Sequence, residues 1–446
     1  MATTPQPPPG HSSAVPSSRL GRLVRLGGMA SGVAGNMLVA GARQLAQGKR
    51  PTLSDLLLTP ANAQKITQQL AQMRGAAMKV GQLISMDAGD LLPPELAAIL
   101  ARLRSDAHAM PQRQVQAVLS ANWGAGWQQR FASFSFTPVA AASIGQVHRA
   151  TTVDGRDLAI KIQYPGVRKS ISSDVNNVAA LLRLSGLLPR TLDIAPLLQE
   201  AKRQLREEAD YLAEGAHLAH FFDLLRDAPE FVVPALHADL TTRNVLAMSY
   251  VEGVPVESMA DAAQAERDRM LFLLVGLLFR ELFEFGRMQT DPNFANYRYD
   301  PQSQQLVLLD FGATRRFAPA FGQAYQRLMA ATIAGDRAAM AQAGSDIGYF
   351  DDNTQTLHQN AVLDLFAMAL EPLCHDGAFD FGTTDMAQRL RDAGMALGLD
   401  RDFWHIPPID ALFLHRKLGG LYLLAARLKA RVNVRALAQP YLPVRR

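Results

Sequence analysis

An aspartate, four residues and an asparagine, followed by an apolar run into a second aspartate, constrain this chain more than any other stretch in it. Residues 286–312 read Gly-Arg-Met-Gln-Thr-Asp-Pro-Asn-Phe-Ala-Asn-Tyr-Arg-Tyr-Asp-Pro-Gln-Ser-Gln-Gln-Leu-Val-Leu-Leu-Asp-Phe-Gly. Phosphoryl transfer needs a carboxylate near the attacking oxygen and hard oxygen ligands that hold Mg²⁺ against the phosphates. Asp291, Asn296 and Asp310 have the order and spacing of that set. Singly the pieces are weak, because Asp-Phe-Gly occurs by chance and Asp-Pro is an ordinary turn. Together they predict a hairpin: Tyr297-Arg-Tyr, a turn at Asp300-Pro-Gln-Ser and Leu306-Val-Leu-Leu would place Asp310 beside Asn296. Such a site also needs a phosphate loop, a lysine and a helix glutamate.

With 446 residues the chain can bury a sizeable core in two or three lobes. A hydrophobic content of 48% and a charged content of 19% are those of a globular protein. A net charge of +4 is small for this length and gives nucleic-acid binding no support. The single cysteine, Cys374, excludes an internal disulfide and reads as a bystander rather than a nucleophile. The histidines show no zinc-type spacing, and neither His-Glu-x-x-His nor a Gly-x-x-x-x-Gly-Lys-Ser/Thr loop occurs.

Residues 1–18 are rich in Pro, Ser and Thr, as disordered tails are. Arg19, Arg22, Arg25, Arg43, Lys49 and Arg50 all precede the first acid, Asp55, and a small-residue run spans Gly27–Gly41. A signal peptide does not fit, since the apolar part is weak. A spanning helix over Val24–Ala40 would contain Arg25 and Asn36 and fall short of the roughly 20 apolar residues required. A basic, glycine-rich helix lying on an anionic membrane or docking another chain fits better. Gly28 and Gly32 have the spacing that lets helices approach closely. A flexible linker is the plain alternative, and a transit peptide fits less well because the start is not amphipathic.

Ser54 can cap a first helix, and Ala61–Met86 reads as a long one. Ile66, Leu70, Met73, Ala77, Val80 and Ile84 form its apolar stripe. Lys79 and Gln82 fall on the far side with Gly75 and Met86. A solvated face would carry more charge, so this one is expected to pack against something. Leu92-Pro-Pro-Glu ends the helix and starts another.

The nucleotide-binding half is expected downstream. Ala140-Ala141-Ala142-Ser143-Ile-Gly145-Gln-Val147 follows the strand-like Phe134-Ser-Phe-Thr and has the spacing of a kinase glycine loop, with alanines at the first two glycines. Glycine lets backbone amides approach phosphate closely; alanine restricts this. A nucleotide here is therefore expected to have its phosphates held differently from those in an ordinary protein kinase. After a turn at Asp154-Gly155 comes Leu158-Ala-Ile-Lys161, the strand lysine of such sites. Pro196–Leu225 reads as one long helix carrying Glu200, Glu207, Glu208, Asp210 and Glu214. One acid should pair with Lys161, and spacing alone does not say which. Val245–Gly253 reads as a strand running into a hinge.

Lys79-Val-Gly-Gln82, Ala140-Ala-Ala-Ser143, Ala159-Ile-Lys161, Glu208-Ala-Asp210, Gln289-Thr-Asp-Pro-Asn, Leu309-Asp-Phe-Gly-Ala-Thr and Leu414-His-Arg-Lys-Leu-Gly-Gly occur in this order. The set resembles the UbiB/AarF atypical kinase family, in the branch similar to the coenzyme Q kinases, over roughly residues 52–430. The resemblance implies an α+β, two-lobed protein-kinase-like fold whose Lys-x-Gly-Gln helical extension packs over the active site. It makes Asp291 the catalytic aspartate, Asn296 and Asp310 the metal ligands, Glu214 the partner of Lys161, and Met248, Ser249, Tyr250 and Val251 the adenine hinge. Lys79 and Gln82 would then sit where a protein substrate would otherwise bind, near Glu208 and Asp210. Two departures from the family are the absence of a His-Pro-Gly run after Asp-Pro, where Asn293-Phe-Ala stands, and Ser249 at an often acidic hinge position.

The domains expected are a tail and basic membrane-contact segment (1–51), the helical extension (52–125), an N-lobe (126–255) and a helical C-lobe (256–446). The function implied is an ATPase or unorthodox kinase that uses ATP (or ADP) and Mg²⁺ in support of ubiquinone biosynthesis. Expected partners are the nucleotide, a membrane surface or lipid or quinone intermediate, quinone-biosynthesis proteins and a second copy in a homodimer; nucleic acid is not among them. The expected location is the cytoplasmic face of the inner membrane, with the mitochondrial matrix face as the alternative. After Asp310-Phe-Gly no long activation segment or Ala-Pro-Glu follows, which disfavours a peptide kinase. A small-molecule phosphotransferase and a nucleotide-binding scaffold without turnover are the competing readings.

Overall fold

The computed structural model describes residues 70, 73, 75–77, 79–81, 109–184, 194–291, 293–351, 354–399 and 408–443. The basic segment at 19–47, Ser54, Gln82 and the Leu92-Pro-Pro-Glu stretch lie outside them. The architecture is α+β, in two compact units: Met1–Gly215 with Leu236–Tyr250, and Ala216–Ala235 with Val251–Arg446.

The first unit is built on an antiparallel sheet in the order β1-β3-β4-β6, with β2 on the edge of β3. β1 is Phe131–Phe134, β2 Ala140–Ala141, β3 Gly145–Thr152, β4 Asp157–Gln163 and β6 Val245–Ser249; the expected strand at Phe134–Thr137 thus lies three residues earlier. Gly155 takes φ +87° in the β3–β4 turn, where its N–H donates to Thr152 O at 3.0 Å. Successive side chains of β4 face opposite ways. Leu158, Ile160 and Ile162 enter a core with Val115, Leu119, Trp127 and Phe131, which turns Lys161 to the other face. There Val147, Lys161 and Leu246 are cross-strand neighbours on β3, β4 and β6.

That second face is covered by helices. Leu70, Met73, Ala77 and Val80 share a core with Ile171, Val175, Leu205 and Tyr211. The helices are α1 Gln112–Trp123, α2 Val167–Leu184, α3 Ala195–Glu208 and α4 Tyr211–Leu224. The single helix expected over 196–225 is therefore two. Asp210 Oδ1 accepts the Ala213 N–H at 3.4 Å and starts α4, while the Tyr211 N–H is drawn to Arg243 O at 3.3 Å.

In the second unit the sheet order is β5-β10-β9-β7, from β5 Phe231–Val232, β7 Val254–Pro255, β9 Tyr297–Asp300 and β10 Gln305–Leu308. The hairpin expected from sequence is β9–β10, with Tyr297 opposite Leu308. A separate ribbon pairs β8 Arg287–Gln289 with β11 Thr314–Arg316. The helices are α5 Gln264–Phe279, α6 Pro319–Ala334, α7 Arg337–Ile347, α8 Thr356–Ala369, α9 Met386–Leu399 and α10 Ile409–Leu428. From Met270 onward α5 is apolar almost all round and mostly buried, as a core helix should be. Among the described residues no helix is long and apolar enough to cross a membrane.

Candidate active site

In the first unit the Ala-rich stretch is a tight turn rather than an open loop. Ala140 and Ala141 pair with Val147 and Gln146, and the Ala142 N–H donates to Gly145 O at 2.9 Å. A Cβ on Gly145 would come within 2.2 Å of Ile162 O, so β3 can approach β4 here only as glycine. Ser143 Oγ donates to Glu208 Oε2 at 2.7 Å, and the other oxygen of Glu208 takes the buried Lys79 ammonium. A Cβ on Gly75 would lie 2.9 Å from Ser143 O. The far face of the Lys79 helix thus rests on the Ala-rich turn and its acid, within one unit.

Lys161 Nζ lies 2.6 Å from Glu214 Oε1, with both side chains buried, and the ammonium stands 5.5 Å from the centroid of the Tyr211 ring. The break after Glu208 is what separates the acids: Glu208 ends α3 and meets Lys79, while Glu214 in the first turn of α4 meets Lys161. Asp210, between them, caps α4 and lies 3.9 Å and 3.8 Å from Arg168 and Arg243. At the hinge, Met248 is buried opposite Ala159, and Ser249 Oγ lies 3.1 Å from His237 Nε2. The Tyr250 N–H donates to Asp157 O at 2.9 Å, and its ring carries the Arg149 guanidinium at 4.0 Å. Val251 begins the second stretch of the other unit.

In the second unit, β8 delivers Thr290 and Asp291 against the segment that follows Asp310. Thr290 donates through both its N–H (3.0 Å) and its Oγ1 (2.7 Å) to Ala313 O. Asn293 caps the turn Phe294–Asn296 by accepting the Ala295 N–H at 3.2 Å. Asn296 O accepts the Leu309 N–H at 2.9 Å, which sets Asn296 beside Asp310. Asn296 Nδ2 donates to Asp291 Oδ2 at 3.4 Å, and the Asn293 N–H to Asp291 Oδ1 at 3.3 Å. Asp310 Oδ1 accepts the Gly312 N–H at 3.0 Å. Asp291, Asn296 and Asp310 are thereby gathered on one backbone-stapled loop pair.

Four residues that spacing did not single out support this loop. Arg416 on α10 reaches Asp291 Oδ1 with Nη2 at 3.4 Å. Its neighbour Lys417 forms a buried ion pair with Glu281, whose second oxygen accepts the Gln289 N–H at 3.1 Å. Burial pushes the Glu281 pKa up and the Lys417 pKa down, each opposed by the other's charge. Tyr297 Oη donates to Gln289 Oε1 at 3.2 Å. Burial, then the charges of Glu281, Asp291 and Asp310, hold the Tyr297 phenol well above its usual range, so it stays a neutral donor. The signal in the sequence was present: charged residues inside the otherwise apolar Leu414–Gly420 and Leu277–Phe285 runs.

Asp310 and Asn296 together offer two hard oxygen donors. That set fits Mg²⁺, which binds through one or two protein carboxylates or carbonyls and completes its shell with phosphate and water. Among the described residues no cluster of three or more His, Cys, Asp or Glu side chains suits a metal held by protein alone.

Comparison with known proteins gives a consistent picture. Residues 102–344 match the model of the ABC1 atypical kinase-like domain. The chain is 40% identical to the rat atypical kinase COQ8B, mitochondrial, over 95% of its own length and 80% of the relative's. It is 37% identical to the Saccharomyces cerevisiae atypical kinase COQ8, mitochondrial, over 95% and 84%. Among solved structures, that of Rv3197 with erythromycin from Mycobacterium tuberculosis superposes with a TM-score of 0.60 at 25% identity, covering 86% of this chain and 96% of the other.

Proposed function

The chain belongs to the ABC1 atypical kinase-like family, with its two-lobed α+β kinase-like fold, and on that premise we propose an unorthodox kinase or ATPase that binds Mg-ATP and supports ubiquinone biosynthesis. It acts on or near membrane-associated quinone enzymes or lipid intermediates. The observation that carries the reading is the loop pair of the second unit, where the Asn296 O to Leu309 N–H bond sets an amide beside Asp310 and the same amide touches Asp291. Asn296 and Asp310 would hold Mg²⁺, which supplies charge neutralisation at the phosphates. Asp291 orients the attacking oxygen and accepts its proton. Lys161, steadied by Glu214, binds phosphate oxygens, and Ala140, Ala141, Ala142, Ser143, Gly145 and Val147 shape the turn that covers them. Met248, Ser249, Tyr250 and Val251 contact the base.

Two features support a non-peptide acceptor. The chain passes from Gly312 through the short β11 directly into α6 at Pro319, leaving no platform for an extended peptide. Lys79 is neutralised by Glu208 over the Ala-rich turn, an arrangement an ordinary peptide kinase lacks. The names of the relatives place those proteins in mitochondria; for this chain we propose peripheral attachment to a membrane through residues 19–47. The test is genetic. Deleting the gene should lower cellular ubiquinone, and the wild-type chain should restore it where Asp310→Asn does not. Unchanged ubiquinone in the deletion strain would overturn the pathway assignment.

A further inference from the structure

Two arginines and two histidines meet at the ribbon that leads into Asp291. Arg287 on β8 and Arg316 on β11 are direct cross-strand partners, an arrangement in which like charges repel at a Cβ separation of about 5 Å. His217 and His220, three residues apart on α4, share one face of that helix. α4 is held against this region by Phe221, whose ring lies 4.9 Å from Phe311 and 6.3 Å from Phe285. Both imidazoles feel the Arg287 and Arg316 charges: burial first, then the guanidinium groups, holds each below the ordinary histidine pKa. Asp223 raises His220 but is itself paired with Arg226. Among the described residues none of these four side chains has an ion pair or hydrogen bond.

Like charges held side by side across the ribbon repel, and a bound anion would offset that repulsion. Two guanidinium forks on adjacent strands match the oxygens of a tetrahedral dianion, and flanking imidazoles add donors. We propose that Arg287, Arg316, His217 and His220 form a receptor for a phosphoryl dianion, inorganic phosphate or a phosphomonoester, distinct from the residues assigned to the nucleotide. Its location gives it a consequence. β8 runs directly into Asp291 and β11 follows Asp310-Phe-Gly, so a bound dianion relieves the repulsion across the ribbon that supports both carboxylates. The inference stands independently of the reaction proposed above.

The test uses the full chain without nucleotide, at constant ionic strength. Inorganic phosphate should bind saturably and raise the melting temperature more than chloride does. Arg316→Gln, at an exposed position, should raise the melting temperature of the ligand-free protein by removing repulsion. It should also weaken phosphate binding by about tenfold or more, the worth of a charge-assisted hydrogen bond. Sulfate, whose charge is constant between about pH 5.5 and 8, should bind more tightly as pH falls and His217 and His220 become protonated. His220→Gln should flatten that dependence. O-phosphoserine and vesicles containing phosphatidic acid, run in parallel, distinguish a soluble phosphomonoester from a lipid headgroup by which competes better with phosphate. Lys161→Met should leave the response intact. Wild-type phosphate affinity in Arg316→Gln, unsaturable binding, or loss of the response in Lys161→Met alone would overturn the proposal.

Discussion

The Ala142 N–H is turned inward to Gly145 O, whereas the amides of a glycine-rich loop face the phosphates. Ser143, the next residue, is held by Glu208, which Lys79 in turn neutralises. Replacing Ala142 by glycine releases the φ restriction at the point where the turn must stay closed. Ala142→Gly should shift nucleotide affinity by about two- to fivefold, the equivalent of about 0.4–1 kcal/mol in backbone freedom. It should change autophosphorylation as well; nucleotide titration and label transfer read the two. No change in either would contradict the view that alanine sets how phosphates are held. At this scale the sequence was most legible where partners are local. Asp291, Asn296 and Asp310 flank the one β9–β10 hairpin, so spacing alone places them together. Arg416 and Lys417 meet Asp291 and Glu281 across 125 and 136 residues of chain, a separation that local periodicity cannot bridge.

Helices α3 and α4 show what happens when a period runs on through a break. Leu198, Leu205, Ala209, Leu212 and Ala216 keep an apparent stripe across both, yet Asp210 starts a second helix and sends Glu208 and Glu214 to different lysines. The capping residue was visible in the sequence; the competing pull of Arg243 O on the Tyr211 amide was not. Helix α10 provides the element-scale test. Its Lys417 neutralises Glu281 at the π-helical turn Arg280–Glu284, and Glu281 holds the strand that leads to Asp291. Lys417→Met leaves a buried carboxylate without its cation and should destabilise the fold by about 3–5 kcal/mol. Lys417→Met with Glu281→Gln should recover part of this. Thermal unfolding of the single and double variants measures it; equal melting temperatures for wild type and Lys417→Met would contradict the assignment.

At the scale of the whole molecule, burial is the first cause of the shift at five of the described histidines. His148, His217, His220 and His237 are all held below the ordinary histidine pKa mainly by burial, and burial carries His415, set between Tyr325 and Tyr349, down to about 4. A base with a depressed folded pKa binds fewer protons folded than unfolded, so its contribution is complete above about pH 6.5 and is lost as pH falls toward about 4. The melting temperature should therefore drop steadily between those values, with His415→Gln flattening the lower part of the curve. A profile flat from pH 7 to 4.5 would contradict the burial of these rings. The two-lobed kinase-like fold was legible from motif order, because the motifs follow one another on distinct helices, strands and turns. The resemblance implied Lys79 near Glu208, whereas the reach of α10 to Asp291 and Glu281 required the tertiary structure.

The central claim is Mg-ATP turnover at Asp291, Asn296 and Asp310, and Mg²⁺-dependent ATP hydrolysis by the full chain tests it most directly. Hydrolysis should be raised by anionic liposomes or a phenolic quinone precursor, and Asp310→Asn should lower it by about a hundredfold or more, as losing a charged transition-state contact does. Tight nucleotide binding with no hydrolysis under any lipid condition, or an Asp310→Asn variant that turns over like wild type, would contradict it.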